Sequence, residues 1–259
     1  MVFNLKDKVT VITGAGQGIG KAVANAFGIE GCKLAICDID QERLDKVHEE
    51  LATTGCAVFS KVVDVRNYSE LQTFGDDVIR VFDQIDIWIN HVGVADSKPF
   101  LEETPQDWDY VLQTNLNSFL YGSQIAGRHM KNTGGGVIIS TSSYTSLLPT
   151  SCRTAYAASK AAINAATRLL GGELAPYGIR VLAIAPGSVE SNLENVNKQQ
   201  FNVSNIALQR TCKAEELAQT YVYLASDAAS YLTSLVVEVS GGKLAIQDIE
   251  LPWKRAEEE

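Results

Sequence analysis

The chain has little that would hold a metal or staple a secreted fold. Its five cysteines, Cys32, Cys37, Cys56, Cys152 and Cys212, form no C-x-x-C pair, and an odd number leaves no complete disulfide set. Neither they nor the three histidines show paired ligand spacing, so no metal is expected. No apolar run approaches the ~18 residues that a membrane-spanning helix requires. The opening Met1-Val2-Phe3-Asn4-Leu5-Lys6 carries no secretory signal, and a cytoplasmic protein with reduced thiols is the expectation. Positive charge is scarce too. Lys and Arg number 22 against 31 Asp and Glu, and a net charge of −9 argues against a nucleic-acid partner. With no linker, repeat or low-complexity segment in view, the partner expected is a small molecule.

What is present is an alternation of short apolar strands and amphipathic helical stretches. The 259 residues suit one α/β domain spanning 1–259, a doubly wound Rossmann-type sheet of about seven parallel strands with helices on both faces. Strands are predicted at 9–13, 34–38, 58–63, 85–90, 137–141, 180–185 and 236–239. Between them fall helices from the glycine loop to about Glu30, at 69–82, at 108–130, around 156–160 and at 215–225. Leu44, Val47 and Leu51 give the helix after the second strand an apolar stripe at i, i+3 and i+7. A charged tail, about 247–259, is expected to be solvated or packed on a neighbouring subunit.

The first strand runs into Thr13-Gly14-Ala15-Gly16-Gln17-Gly18-Ile19-Gly20. A glycine loop between strand and helix lets backbone amides approach a pyrophosphate, whose charge the helix N-terminus favours. Asp38 closes the second strand, where a carboxylate can accept hydrogen bonds from adenosine ribose hydroxyls and would repel a 2′-phosphate. With no Arg or Lys at Ala15, Gly16 or Gln17, the expected cofactor is NAD rather than NADP. The plainer alternative for Asp38 is a cap on the following turn.

Further on, Ser143 precedes Tyr156 by 13 residues, and Tyr156 and Lys160 lie four apart, on one helix face. An ammonium beside a phenol stabilises phenolate, so the pair can exchange a proton near neutral pH. Ser142 is the rival to Ser143 among the neighbouring hydroxyls.

Together these ordered motifs resemble the classical short-chain dehydrogenase/reductase family over about residues 5–246. The resemblance implies an oxidoreductase moving a hydride between a secondary alcohol or ketone and NAD. Tyr156 would be its general acid/base and Ser143 the donor to the substrate oxygen. Lys160 would depress the tyrosine pKa and hold the nicotinamide ribose, and Asn115 would hold a helix kink and a relaying water. It further implies cofactor contacts from Gly14, Gln17, Gly18, Ile19 and Gly20. Asp64 and Val65 match the dipeptide at the adenine, and Asn90 and Gly93 match two positions of Asn-Asn-Ala-Gly. Pro186, Gly187, Val189 and Ser191 match the segment that holds the carboxamide. His91 and Val92 depart from the family pattern, and His91 is read as structural, with a catalytic base as the alternative. Asn115 on a solvated helix face is the plain alternative to its role.

Substrate contacts are expected from Val94, Ser143, Tyr144, Arg153 and Leu193, with a mobile loop at about 190–212. Arg153 could meet an anionic group or simply face solvent. A homotetramer or homodimer is implied, built partly on helix 108–130 and the Tyr156 helix. The alternatives carried forward are a catalytically silent dinucleotide-sensing protein and a 3-oxoacyl thioester reductase.

Overall fold

The computed structural model describes residues 3–95, 97–190, 203–243 and the single positions 245, 249, 253 and 256. Strands β1 (Val9–Thr13), β2 (Lys33–Asp38), β3 (Val58–Val62), β4 (Ile87–Asn90), β5 (Gly136–Thr141) and β6 (Ile179–Pro186) fall where apolar runs predict them. A two-residue pair, β7 (Val189–Glu190) with β8 (Cys212–Lys213), precedes β9 (Leu235–Val239). Seven strands form one parallel sheet in the order β3-β2-β1-β4-β5-β6-β9.

Successive side chains of a strand point to opposite faces. Ile12, Leu34, Ile36, Ile89, Ile139 and Leu182 therefore join one core with helices α1 (Gly18–Ile29), α2 (Gln41–Thr53) and α7 (Ala214–Ala225). Val9, Val11, Ala35, Trp88, Ile138 and Val181 build the other with α3 (Tyr68–Phe82). Burial on both faces is why β1 reads as an unbroken run instead of an alternating one. Leu44, Val47 and Leu51 are buried as their spacing predicts. Fourth-strand pairing starts at Ile87, not Ile85; Asp86 just before it bonds to Val9 through its main chain and through its carboxylate at 2.8 Å, and the carboxylate also meets Lys8 Nζ at 3.1 Å.

The helix expected at 108–130 is divided. Thr104 and Asp107 form a capping box that brackets Pro105, starting α4 (Pro105–Leu112). A π turn at Gln113–Asn117 follows, then α5 (Ser118–Met130). Hydroxyls loosen the ladder there: Thr114 Oγ1 donates to Tyr110 O at 2.7 Å and Ser118 Oγ to Thr114 O at 2.5 Å. The bulge falls at Asn115.

The Tyr156 helix, α6 (Thr154–Leu174), begins at Thr154 with Arg153 as its N-cap residue. Strand order reverses between β1 and β4. In open parallel sheets a ligand crevice forms at that place, outside the carboxyl ends of the strands.

Candidate active site

After β1 the backbone turns through Gly14 at φ +70° and Gly18 at φ +54°, a region other residues rarely enter. The Gly14 and Ala15 amides donate to Cys37 O at 2.8 and 3.1 Å, tying the loop to β2. A Cβ on Gly20 would lie 2.0 Å from Gly14 O, so only glycine lets α1 start this close. Gln17 makes no side-chain cap, and the first amides of α1 keep the capacity to bind an anion. The cradle fits a dinucleotide pyrophosphate.

A cavity of about 410 Å³ opens beside it, lined by Gly14, Gln17, Gly18, Ile19, Asp38, Asp64, Val65, His91, Gly93 and Val94. Asp38 Oδ2 accepts from the Gly16 amide at 2.9 Å and Oδ1 from the Asp40 amide at 3.1 Å, so the carboxylate orders the loop and also faces the cavity. Asp64 is gripped by Arg66, whose Nη2 donates at 2.6 Å. That hydrogen bond holds the Asp64 carboxyl below the usual carboxylate range. Arg66 in turn lies over the Tyr110 ring, 5.5 Å from its centre, at the cavity wall.

A second cavity, of about 880 Å³, shares Ile19, His91, Gly93 and Val94 with the first. Ser143, Tyr144, Arg153, Tyr156, Lys160, Pro186, Gly187 and Val189 all line it. Lys160 is buried, donates from Nζ to Thr141 O at 2.7 Å, and places Nζ 5.8 Å from the Tyr156 ring centre. Burial lowers its pKa from 10.5 to about 8. Gly93 leaves the ammonium room: a Cβ there would crowd it, standing 3.1 Å from Nζ.

Ser142 is buried and donates to Lys160 O at 3.2 Å, whereas Ser143 is half-buried and accepts from the Thr145 amide at 3.2 Å. Both line the larger cavity, but only Ser142 has its hydroxyl hydrogen committed to a protein acceptor among the described residues. Asn115 is buried, not solvated. Its Oδ1 accepts from Val94 N at 2.8 Å, and its Nδ2 donates to Val94 O at 2.9 Å and Ser159 Oγ at 3.1 Å.

Asn90 lies behind the cavities. It accepts from Trp88 Nε1 at 2.8 Å and donates to Ser123 and Ser140, holding β4 to α5 and β5. Ser191 and Leu193, and with them 191–202 of the expected mobile loop, lie outside the described residues.

Several residues at the site carry no local sequence signal. Lys243 enters the larger cavity with Nζ 5.7 Å from the Tyr144 ring centre, and its carbonyl accepts from Tyr144 OH at 2.7 Å. Ile39 and Arg43 flank Asp38, and Thr141 joins His91 to the buried Tyr221. Lys243, Thr141 and Tyr221 are brought in by the fold from distant parts of the chain, whereas Ile39 and Arg43 follow Asp38 closely in sequence. Among the described residues no cluster of His, Cys, Asp and Glu could hold a metal ion, and no helix is long and apolar enough to cross a membrane.

The family model described as enoyl-(acyl carrier protein) reductase matches residues 14–243. The 3-oxoacyl-(acyl-carrier-protein) reductase of Thermotoga maritima is 33% identical over 243 residues, 93% of this chain and 99% of that one. The NAD-dependent glycerol dehydrogenase of Listeria innocua is 34% identical over 247 residues, covering 93% and 95%. The solved structure of a 7α-hydroxysteroid dehydrogenase with NADH and 7-oxo glycochenodeoxycholic acid superposes with a TM-score of 0.88 at 30% identity, over 95% of this chain and 98% of that one. With the ordered motifs, the sheet order and these likenesses on the same residues, the chain belongs to the short-chain dehydrogenase/reductase family of oxidoreductases.

Proposed function

We propose that the protein is an NAD-dependent dehydrogenase or reductase acting between a small secondary alcohol and its ketone. One observation carries the reading: a buried Lys160 beside Tyr156, in a cavity continuous with the glycine-loop cavity. Bound there, the nicotinamide would supply the hydride acceptor or donor. Tyr156 exchanges the proton with the substrate oxygen, and Ser143 donates to that oxygen as charge develops on it. Lys160 favours the phenolate and can also bind the ribose hydroxyls. Asn115 is a positioning residue whose carboxamide is committed to Val94 and Ser159, which leaves the holding of a relaying water to its main chain. A panel of secondary alcohols and ketones followed by NADH absorbance tests the reading. Binding of NADH with no turnover on any substrate would instead mean a dinucleotide sensor.

A 3-oxoacyl thioester is the second reading, favoured by the Thermotoga relative, and belongs in the same panel. Against it stands the net charge of −9, unsuited to docking an acidic carrier protein. The proposed setting is cytoplasmic. A homotetramer or homodimer is supported by exposed Leu120 and Leu169 on α5 and α6.

The NAD preference rests on Asp38. Asp38→Ser is expected to narrow the ratio of kcat/KM for NAD over NADP, chiefly through a lower KM for NADP. Arg43 lines the same cavity, 3.3 Å from Asp40, and can turn to a 2′-phosphate once the carboxylate is gone. A wild type equally efficient with both cofactors would remove this role from Asp38.

An anionic group on the substrate is proposed from the cavity's charge. Arg153, Lys160 and Lys243 line it, and among its described lining residues there is no carboxylate. A guanidinium can grip a carboxylate at two points, which lysine reproduces poorly. Arg153→Lys is therefore expected to raise KM for a hydroxy acid several-fold and leave neutral alcohols alone. Equal effects on charged and neutral substrates would end the idea.

A further inference from the structure

His91 has a second part beyond filling the loop after β4, and a chain of three hydrogen-bonding groups defines it. Tyr221 is fully buried, and the one partner of its hydroxyl among the described residues is Thr141 Oγ1, at 2.7 Å. Thr141 Oγ1 is also 2.8 Å from His91 Nδ1. A buried O–H without an acceptor is strongly disfavoured, which fixes the direction of the chain. Tyr221 must donate to Thr141, and Thr141, having accepted, donates its own hydrogen to His91. Nδ1 is then an acceptor, and the ring proton sits on Nε2. The reverse order would strand the phenolic hydrogen.

The ring is held where that proton matters. The His91 amide donates to Thr13 Oγ1 at 3.1 Å, and the ring carbon next to Nε2 lies 2.9 Å from where a Cβ on Gly20 would stand. His91 is one of four residues that line both cavities, and Nε2 has no protein partner among the described residues. Burial, and then the charge of Lys160, lower its pKa to about 4, so the imidazole is neutral through the neutral range. As a catalytic base it would be poorly matched to neutral pH.

We propose that Tyr221 and Thr141 set the tautomer of His91 so that its Nε2–H is a neutral donor to a dinucleotide oxygen, at the bridge between the adenosine and nicotinamide halves. This rests on the dinucleotide reading above. A neutral donor held by a buried relay keeps its hydrogen aimed at the anion without adding a charge beside Lys160.

The test is ¹⁵N imidazole NMR on the full chain, whose histidines are only His48, His91 and His129. Without any ligand, His91 should show a protonated Nε2 and a bare Nδ1. On adding NADH its Nε2 signal should move. Tyr221→Phe keeps the ring in the core and lines neither cavity, yet it should release the tautomer and weaken NADH binding roughly 3–10-fold by fluorescence titration. His91→Ala should weaken it roughly 10–100-fold, as for a donor lost to a charged acceptor. A wild-type His91 protonated on Nδ1, or NADH affinity unchanged within twofold in both variants, would overturn the proposal. Failure of the wild type to bind NADH would instead overturn the dinucleotide reading, leaving the ligand-free tautomer as a separate result.

Discussion

Tyr156→Phe is expected to lower kcat by roughly 10²–10⁴-fold, the usual contribution of a general acid–base group, while NADH still binds. The variant deletes one oxygen and keeps the ring against which Lys160 lies. The loss should therefore fall on proton transfer in both directions, with a dissociation constant for NADH close to that of the wild type. Stopped-flow turnover and NADH fluorescence, measured on one preparation, separate the two quantities. A variant retaining more than about a tenth of wild-type kcat would take the proton-transfer role away from Tyr156.

Lys160→Met should abolish most turnover and at the same time stabilise the protein. Burial holds the Lys160 pKa at about 8 in the folded chain, against 10.5 when it is free in water. Each pH unit between those values is worth about 1.4 kcal/mol. At pH 7 the group is protonated in both states, and folding bears the full cost of burying the charge. Methionine removes that cost but leaves Thr141 O without its donor, so the net gain should be on the order of 1–3 kcal/mol, or a few °C in Tm.

The pH dependence has a definite sign. Between about 8 and 10.5 the unfolded chain holds a proton at Lys160 that the folded chain has released. The wild type should therefore gain stability relative to the variant as pH rises through that window. Differential scanning calorimetry at pH 7 and pH 9.5 reads both effects. A methionine variant less stable than wild type at pH 7 would refute the account of a charge held at a cost.

Features that depend on neighbouring residues were legible in the sequence, and those that depend on distant ones were not. The runs at Val9–Thr13 and Ile179–Pro186 announced buried parallel strands because both of their faces are covered. The glycine loop and the Tyr156–Lys160 pair carry their geometry in their own spacing. The break at Gln113–Asn117 is different, since apolar periodicity continues through it and the partner of Asn115 is Val94, on the loop after β4. Tyr221 likewise reads as one more apolar position of α7 until Thr141, on β5, meets its hydroxyl. Departure from a family pattern at His91 was visible, but not the chain of hydroxyls that gives it a direction.

The order of strands in the sheet also bears on how the chain assembles as it leaves the ribosome. β1 pairs with β2 on one side and with β4 on the other, so its second edge stays bare until Ile87–Asn90 has been made. At roughly 5–20 residues per second, that is a wait of several seconds during which the most apolar edge of the nascent sheet has no partner. An unpaired strand edge invites pairing with other chains. Synthesis slowed between β3 and β4 should thus lengthen exposure of the β1 edge and lower soluble yield. The reversal of strand order at β1 and β4 therefore also leaves the first strand of the newborn chain waiting for its second partner.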